Sequence, residues 1–575
     1  MLPPIPADTT KVPYPAYYNI VFSDEGPDPH NSAALLPPHE PCRHPWIPDQ
    51  SDVASGTYRN PIICADYSDP DICRAGDDFF MTASSFSCVP GLPILHSKDL
   101  VNWTLIGHAF HRYPNPDFNI PRHGCGIWAP AIRFHNDEFY IVVGDPDNGI
   151  FMTKTRDPFK NAWEPMHLMR QSKGWIDTAP FWDDDGQAYL IHAFSRSRAG
   201  FRNVLHIHKM SPDARSLLDD GVQVFDARGV PGAMQPIYTV IEGPKLYKRN
   251  GFYYIFAPAG GVSTGYQVVL RSKHIYGPYE HRIVLDRGTT PVNGPHQGAW
   301  INTAGSGGEE GEDWFIHFQE ILPYGRVTHL QPMGWQNDWP IIGLSATDPT
   351  RGHPVLQHRK PTISKLATGN LKLVPQTDDH FDSPTLAPQW QFWANYEPSW
   401  FSLTARPGHL RLFPVPLNPD PLFYNRPNLL CQKFPAEIFT ATAKVDFSNL
   451  APYESAGIIL AGKTAAALSA LRTQHSELLL TRTNYNLLDP DSTTDAPQAT
   501  VTLPITILYL RLRCQAGGIC TLSYSTDNQI FTPLGTPVQA SNAMWIGAKV
   551  GLFCNAPAQT APQGYADFDY LVFEP

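Results

Sequence analysis

Five polar or aromatic residues occupy matching points of a repeated pattern, and their side chains could together perform acid–base chemistry. They are Asp69, Trp128, Asp177, Glu242 and His296, and four of the five are followed by a proline within three residues. Three carboxyl groups gathered at one place repel each other, which raises the pKa of at least one of them. An ionised carboxylate could then activate water while a protonated one donates to a leaving group.

The elements that must position these residues are short hairpins. Each of the five is followed by a turn and then by a strand rich in aromatic and apolar residues, at 79–81, 139–143, 189–191, 252–256 and 314–316. A strand, a turn with Gly, Asn or Asp, and a second strand predict a β-hairpin. The units recur about 50 to 65 residues apart, which is typical of propeller blades of four strands. Because the inner strand of each blade begins near the axis, the five residues should face one another.

Taken singly, each of these residues has a structural explanation. Asp before Pro commonly starts a turn, and a single His in an apolar segment is usually a hydrogen-bonded core residue. We interpret Asp71, Asp77 and Asp78 in this structural way. The shared position in five repeats is what favours an axial site for Asp69, Asp177 and Glu242.

The 575 residues are too many for a single core and indicate two or three domains. We predict an all-β chain: an N-terminal extension (1–57), a five-bladed β-propeller (58–343), a connector (344–378) and a β-sandwich (379–575). The sandwich is predicted from segments that alternate in period two. These segments lie at 400–403, 410–412, 441–447, 477–480, 508–512 and 568–573.

Composition argues against several classes of protein. Charged residues make up 17% of the chain and the net charge is −11, with no basic stripe, which argues against nucleic acid as a partner. No apolar run approaches the roughly 18 residues of a membrane span. Aromatic residues reach 12%, which suits both strand packing and stacking on sugar rings.

The nine cysteines include no CxxC pair. We interpret them mostly as buried thiols, and a bridge between Cys514 and Cys520 stays open. The odd number of cysteines and the absence of a visible signal peptide favour a cytoplasmic location, with a secreted mature form as the alternative.

Residues 60 to 343 resemble glycoside hydrolase family 43, in particular its β-xylosidase and α-L-arabinofuranosidase members. The motifs that carry the resemblance lie at 60–62, 68–72, 96–103, 126–130, 175–177, 241–244 and 325–331. Segments 381–384, 400–404 and 406–412 look like the concanavalin-like accessory sandwich of the exo-acting members. The family pattern often has His-Pro-Asp-Pro around its base, whereas this chain has Tyr67-Ser68-Asp69-Pro70.

The resemblance implies a role for each matching residue. Asp69 matches the general base, Glu242 the general acid, and Asp177 the third carboxylate, which orients the acid. Arg326 matches an arginine that contacts the sugar, and two further residues, Phe86 and Trp128, match aromatic walls of the same subsite. We expect an exposed turn around Asp69, and an apolar setting that raises the pKa of Glu242.

The resemblance also implies that His296 helps to hold a hydrated calcium ion, whose other ligands would be oxygen atoms. No organic cofactor is implied. The expected activity is exo-acting, inverting hydrolysis of pentose oligosaccharides that releases xylose, L-arabinose or both. An endo-acting arabinanase and a carbohydrate-binding propeller without activity are the alternatives. Assembly into a homo-oligomer is left open.

Overall fold

The computed structural model describes residues 56–230, 238–304, 311–345, 348–363, 374–417, 423–486, 496–558 and 561–575. Within these ranges the regular secondary structure is almost wholly β-strand. The predicted all-β fold, a five-bladed propeller followed by a β-sandwich, is confirmed. Most of the predicted N-terminal extension lies outside the described residues, which begin just before strand β1 (Thr57–Arg59).

The propeller consists of five antiparallel sheets, each of four consecutive strands in the described residues. Blade one contains β2 (Asp71–Ala75), β3 (Asp78–Thr82), β4 (Gly91–Ser97) and β5 (Thr104–Phe110), and blade two contains β6 (Trp128–His135), β7 (Glu138–Asp145), β8 (Gly149–Thr155) and β9 (His167–Gln171). Blade three contains β10 (Trp175–Trp182), β11 (Ala188–Phe194), β12 (Val204–Met210) and β13 (Val222–Asp226), and blade four contains β14 (Lys245–Arg249), β15 (Phe252–Ala259), β16 (Tyr266–Ser272) and β17 (Glu280–Leu285). Blade five contains β18 (His296–Asn302), β19 (Asp313–Ile321), β20 (Gly325–Gln336) and β21 (Trp339–Ile342).

The turns that the sequence marks are the ones that connect the first two strands of each blade. Asn136 and Asp137 in blade two, and Asn250 with Gly251 in blade four, have positive φ. Tight hairpin turns need this conformation, which Asn, Asp and Gly adopt at low cost. Turn chemistry at these positions therefore sets the pairing of the strands that carry the site.

The second domain is formed by two facing sheets. After β22 (Gln357–Arg359), which pairs with β1, its strands are β23 (Gln391–Phe392), β24 (Phe401–Ser402), β25 (Leu410–Leu412), β26 (Val415–Pro416), β27 (Leu430–Lys433), β28 (Phe439–Asp446), β29 (Ser455–Ala461), β30 (Thr464–Arg472), β31 (Leu478–Asn486), β32 (Ala496–Leu503), β33 (Ile507–Gln515), β34 (Ile519–Ser525), β35 (Thr532–Pro533), β36 (Val538–Gln539), β37 (Lys549–Ala556) and β38 (Ala566–Glu574). One sheet has the order β23-β27-β37-β29-β30-β31-β32 with β26 on β37, and the other has β24-β25-β38-β28-β33-β34-β35 with β36 on β34.

Helical segments are few and short in the described ranges. The α-helix α1 spans Arg196–Ala199. The 3-10 segments are Pro116–Asn119, Pro158–Lys160, Ala227–Gly229, Pro398–Trp400 and Phe423–Asn425. No helix in this part of the chain has the length and the apolar run that a bilayer crossing requires.

The two domains are joined by buried polar contacts as well as apolar packing. Asn395 of the sandwich accepts a hydrogen bond from the backbone N–H of Tyr113 and donates to its carbonyl oxygen. The backbone N–H of Gly547 donates to Oδ2 of Asp66 (2.9 Å). These bonds hold one end of the sandwich against the propeller beside the blade starts.

The cysteine prediction is confirmed for seven described residues, which are free and buried, including Cys514 and Cys520. Cys64 differs, since it is disulfide-bonded.

Candidate active site

The first strands of the five blades begin with distorted backbone. Residues with positive φ lie at the blade starts: Asp69 (55°), Ala129 (21°), Asp177 (57°), Gly243 (59°) and Gln297 (36°). In β6, β10 and β18 the strand register shifts at the same point. Such bulges re-aim side chains and are common beside active sites. The distorted backbone at the start of each blade thus orients the predicted residues toward one another.

Asp69 is buried, which corrects the expectation of an exposed turn. Its Oδ2 accepts hydrogen bonds from the hydroxyl groups of Ser68 (2.6 Å) and Ser84 (2.5 Å). Nη1 of Arg326 lies 3.3 Å from its Oδ1. A carboxylate surrounded by donors acts purely as an acceptor, which is the role of the ionised form. Hydrogen bonds, rather than exposure to solvent, thus define the surroundings of the Asp69 carboxylate.

Asp177 is the carboxyl group whose environment most strongly favours a proton. It is buried, and burial together with the negative charges of Glu242 and Asp69 raises its pKa to about 8. The backbone N–H of Gly243 donates to its Oδ2 (2.8 Å) and opposes part of this shift. The expected apolar setting is therefore found at Asp177, and not at Glu242.

Glu242 is the most accessible of the three carboxylates. Its side chain is 26% exposed, whereas that of Asp69 is 7% exposed. Nε2 of the buried His296 lies 3.0 Å from its Oε1. Asp177 accepts from the backbone N–H of the next residue, Gly243, so Glu242 is held both through its side chain and through its neighbour in the chain.

The metal prediction for His296 finds only partial support in the donor set. Nε2 contacts Glu242, and the buried Nδ1 has no hydrogen-bond partner among the described residues. Calcium prefers six to eight oxygen ligands, and one orphaned nitrogen cannot supply them. The described residues fit only an ion that keeps most of its water, and no step proposed below depends on it.

A buried lysine close to the carboxylates, Lys245, was not predicted from the sequence. Nζ of Lys245 lies 3.4 Å from the carbonyl oxygen of Pro130, in blade two. Burial lowers the pKa of Lys245, while the charges of Asp71 and Asp177 oppose the change. The sequence feature that could have predicted it is a lysine at the first position of an apolar strand, three residues after Glu242. Asp71 itself pairs with Arg133 (2.6 Å), in agreement with its structural interpretation.

The aromatic wall contains one residue that no local pattern could have revealed. Trp545, from the sandwich domain, packs edge-on against Trp128 with ring centroids 4.7 Å apart. Its centroid lies 5.9 Å from that of Phe86. The guanidinium group of Arg198 lies over the Trp128 ring at 5.2 Å. The two predicted wall residues are thus brought together, and the second domain completes the wall.

Arg326 connects the carboxylate site to the domain interface. Its Nη1 donates to Ser68 Oγ (2.8 Å) beside Asp69. Its backbone N–H donates to Oδ1 of Asp66 (2.8 Å), the residue that also binds Gly547. Contacts within the protein therefore fix the guanidinium group of Arg326 before any sugar binds.

The raised pKa of Asp177 predicts how stability depends on pH. Folding raises this pKa from 3.8 to about 8, so the contribution to the free energy of unfolding is complete below pH 4 and lost as pH rises through 8. Asp177→Asn removes the titration. We expect the melting temperature of the wild type to fall by several degrees relative to that of Asp177→Asn as pH rises from 4 to 8, with no further relative loss above about pH 8.

The melting curves should be measured by circular dichroism at half-unit pH steps. Asp183→Asn is the matched control, because hydrogen bonds from Lys248 and Tyr253 lower the pKa of Asp183 despite its burial. Parallel pH dependences for the wild type and Asp177→Asn would contradict a raised pKa at this site.

The chain is similar to known glycosidases over most of its length. The family model described as glycosyl hydrolases family 43 matches residues 58–340. The model described as the beta xylosidase C-terminal concanavalin A-like domain matches residues 378–574.

Two curated relatives cover most of both chains. A beta-xylosidase of Formosa agariphila is 31% identical over 572 residues, covering 91% of this chain and 91% of its own. A non-reducing end alpha-L-arabinofuranosidase of Bacteroides ovatus is 31% identical over 460 residues, covering 76% and 78%.

Solved structures share the two-domain fold. The Bacteroides ovatus xyloglucan-locus protein GH43B has a TM-score of 0.74 at 25% identity, with 90% of this chain and 99% of that chain covered. A xylan beta-1,4-xylosidase from Bacillus halodurans has a TM-score of 0.75 at 22% identity, covering 90% and 100%, which speaks for the fold alone.

Proposed function

Since the chain belongs to glycoside hydrolase family 43 and is a glycosidase acting on oligosaccharides, we propose that it is an exo-acting, inverting enzyme that releases xylose, L-arabinose or both. The observation that carries this proposal is the division of roles among three carboxylates at one blade position. Asp69 is surrounded by donors, Asp177 is buried with a raised pKa, and Glu242 is accessible. Inversion needs one carboxylate that stays ionised and one that delivers a proton.

The proposed reaction is a single displacement. Asp69 accepts a proton from water, and the water oxygen forms a bond to the anomeric carbon. The bond from that carbon to the glycosidic oxygen breaks, and Glu242 donates its proton to the departing oxygen. The next water returns the protonation states to the start, because Asp69 releases one proton and Glu242 takes one up.

Asp177 acts in this scheme as a positioning residue. Its carboxyl group binds the backbone N–H of Gly243 and interacts electrostatically with Glu242. Two interacting carboxyl groups release protons as a pair, so a negative charge on one favours a proton on the other. The raised pKa of Asp177 thereby means that the pair keeps a proton near neutral pH.

The substrate class follows from the relatives and the shape of the aromatic wall. The relatives are named beta-xylosidase and alpha-L-arabinofuranosidase, and the two sugars can present similar hydroxyl positions to one pocket. Trp545 covers one side of the predicted subsite beside Trp128, which favours a closed pocket over an open cleft. We therefore propose exo action, with the endo-acting arabinanase as the alternative. Because the chain is a glycosidase, a carbohydrate-binding propeller without activity is no longer an alternative.

The proposal predicts the stereochemistry of the first product. With 4-nitrophenyl β-D-xylopyranoside, proton NMR in the first minutes should show α-xylose, which then mutarotates. Rates on this substrate and on 4-nitrophenyl α-L-arabinofuranoside, measured side by side, give the sugar preference. Initial formation of β-xylose would rule out single displacement, and a ladder of oligomers from linear arabinan would favour the endo-acting alternative.

Assembly and location stay predictions. We propose no nucleic-acid or membrane partner, and a homo-oligomer stays open. The disulfide at Cys64 counts against the cytoplasmic expectation, because disulfides are rare in reducing compartments.

A further inference from the structure

Three histidines of blade three form a cluster outside the carboxylate site. His192 lies on β11, and His206 and His208 lie on the adjacent strand β12, where His206 is the direct partner of His192. One ring nitrogen from each lies within 4.8 Å of the others. His192 and His208 are fully buried, while His206 is half-buried. No motif in the sequence marks these three residues.

The hydrogen bonds of the two buried rings indicate their tautomers. Nδ1 of His192 faces the carbonyl oxygen of Ala193 (2.9 Å). Nδ1 of His208 faces the carbonyl oxygen (3.4 Å) and a carboxylate oxygen (3.5 Å) of Asp219. All three oxygens are acceptors, so each Nδ1 should carry the proton and each Nε2 a lone pair.

The two Nε2 atoms lie 3.1 Å apart, so these tautomers point lone pairs at each other. A cation between the rings removes the conflict. A metal ion bound through both Nε2 lone pairs would satisfy the two rings at once.

The surroundings of the cluster hold its rings firmly. The backbone N–H groups of Lys209 (3.1 Å) and Gly221 (3.0 Å) donate to Oδ1 of Asp219, which fixes the partner of His208. Gly221 has a φ of 80°, and a Cβ there would lie 2.4 Å from Cε1 of His208. Trp175 stacks on His192 at 4.3 Å. Carbonyl and carboxylate partners of this kind orient metal-binding histidines in known sites.

We propose that His192, His206 and His208 bind a transition-metal ion, with zinc the best match. Imidazole nitrogen suits zinc, whereas calcium and magnesium prefer oxygen. Zinc–nitrogen bonds of about 2.0–2.1 Å in a tetrahedron place two nitrogens about 3.3 Å apart, close to the 3.1 Å found here. Water would take the fourth position beside the half-buried His206. The ion would clamp β11 to β12 and support Trp175, two residues before Asp177.

The test is zinc binding by the full chain after treatment with dipicolinate. We expect one zinc per chain by elemental analysis, and a tetrahedral Co²⁺ absorption spectrum when Co²⁺ replaces it. His206→Ala should weaken zinc binding at least about tenfold while leaving glycosidase activity in place. The control is His167→Ala, because His167 is also half-buried but contacts the carbonyl oxygen of Arg215.

X-ray absorption at the zinc edge of the wild type should count three imidazole ligands, and this measurement needs no variant. The proposal is overturned if the wild type binds no zinc at micromolar concentration. It is also overturned if His206→Ala and His167→Ala bind zinc as the wild type does. Neither result bears on the glycosidase proposal, which does not use these histidines.

Discussion

Glu242→Gln should lower kcat about 10²- to 10⁴-fold on xylosides whose leaving group is an ordinary sugar alcohol, because the departing oxygen loses its proton donor. The amide keeps the size of the side chain and can still contact His296, which lies 3.0 Å from Oε1. Steady-state rates on xylobiose measure this loss, and circular dichroism shows that the variant is folded.

The leaving group distinguishes loss of the acid from general damage. A dinitrophenyl leaving group needs little protonation, so Glu242→Gln should retain most of the wild-type rate on that xyloside. Glu138→Gln is the matched control, since the Glu138 side chain is similarly accessible, at 19%, but pairs with Lys154 on the propeller. Equal losses on xylobiose and on the dinitrophenyl xyloside would contradict a general-acid role for Glu242.

Asp69→Asn should lower kcat by a similar factor, about 10²- to 10⁴-fold, on every leaving group. An amide cannot accept the proton of the attacking water, and that step is needed whichever group departs. Asparagine can still accept hydrogen bonds from Ser68 and Ser84, which contact Oδ2 of Asp69 in the wild type. Rates on xylobiose and on the dinitrophenyl xyloside, with melting temperatures, measure the effect.

The neighbouring carboxylate supplies the contrast. Asp71 is buried and pairs with Arg133 (2.6 Å) while accepting from the N–H of Ile132 (2.8 Å). Removing one partner of a buried pair typically costs about 3–5 kcal/mol. Asp71→Asn should therefore lower the melting temperature more than Asp69→Asn does. If Asp69→Asn instead lost stability and kept its rate on the dinitrophenyl xyloside, Asp69 would be structural.

The environments of Asp69 and Asp177 differ from those that the sequence led us to expect. Asp69 and Asp177 were found from their position in the repeat, yet their environments were not foreseen. Asp69 is buried among donors, and Asp177 is buried with a strongly raised pKa. Burial depends on which segments pack over a residue, and local patterns do not contain that information.

The sequence alone determined the number of blades, the carboxylate positions and the nature of the second domain. These properties depend on short-range features: turn residues that pair neighbouring strands, and alternation that selects a buried face. Only the tertiary structure placed Trp545 against Trp128, Lys245 close to the carboxylates and three histidines around one point. These contacts join elements that are distant in the chain or on adjacent strands. They depend on how the blades close and how the domains pack, and the spacing of residues in the sequence does not predict either.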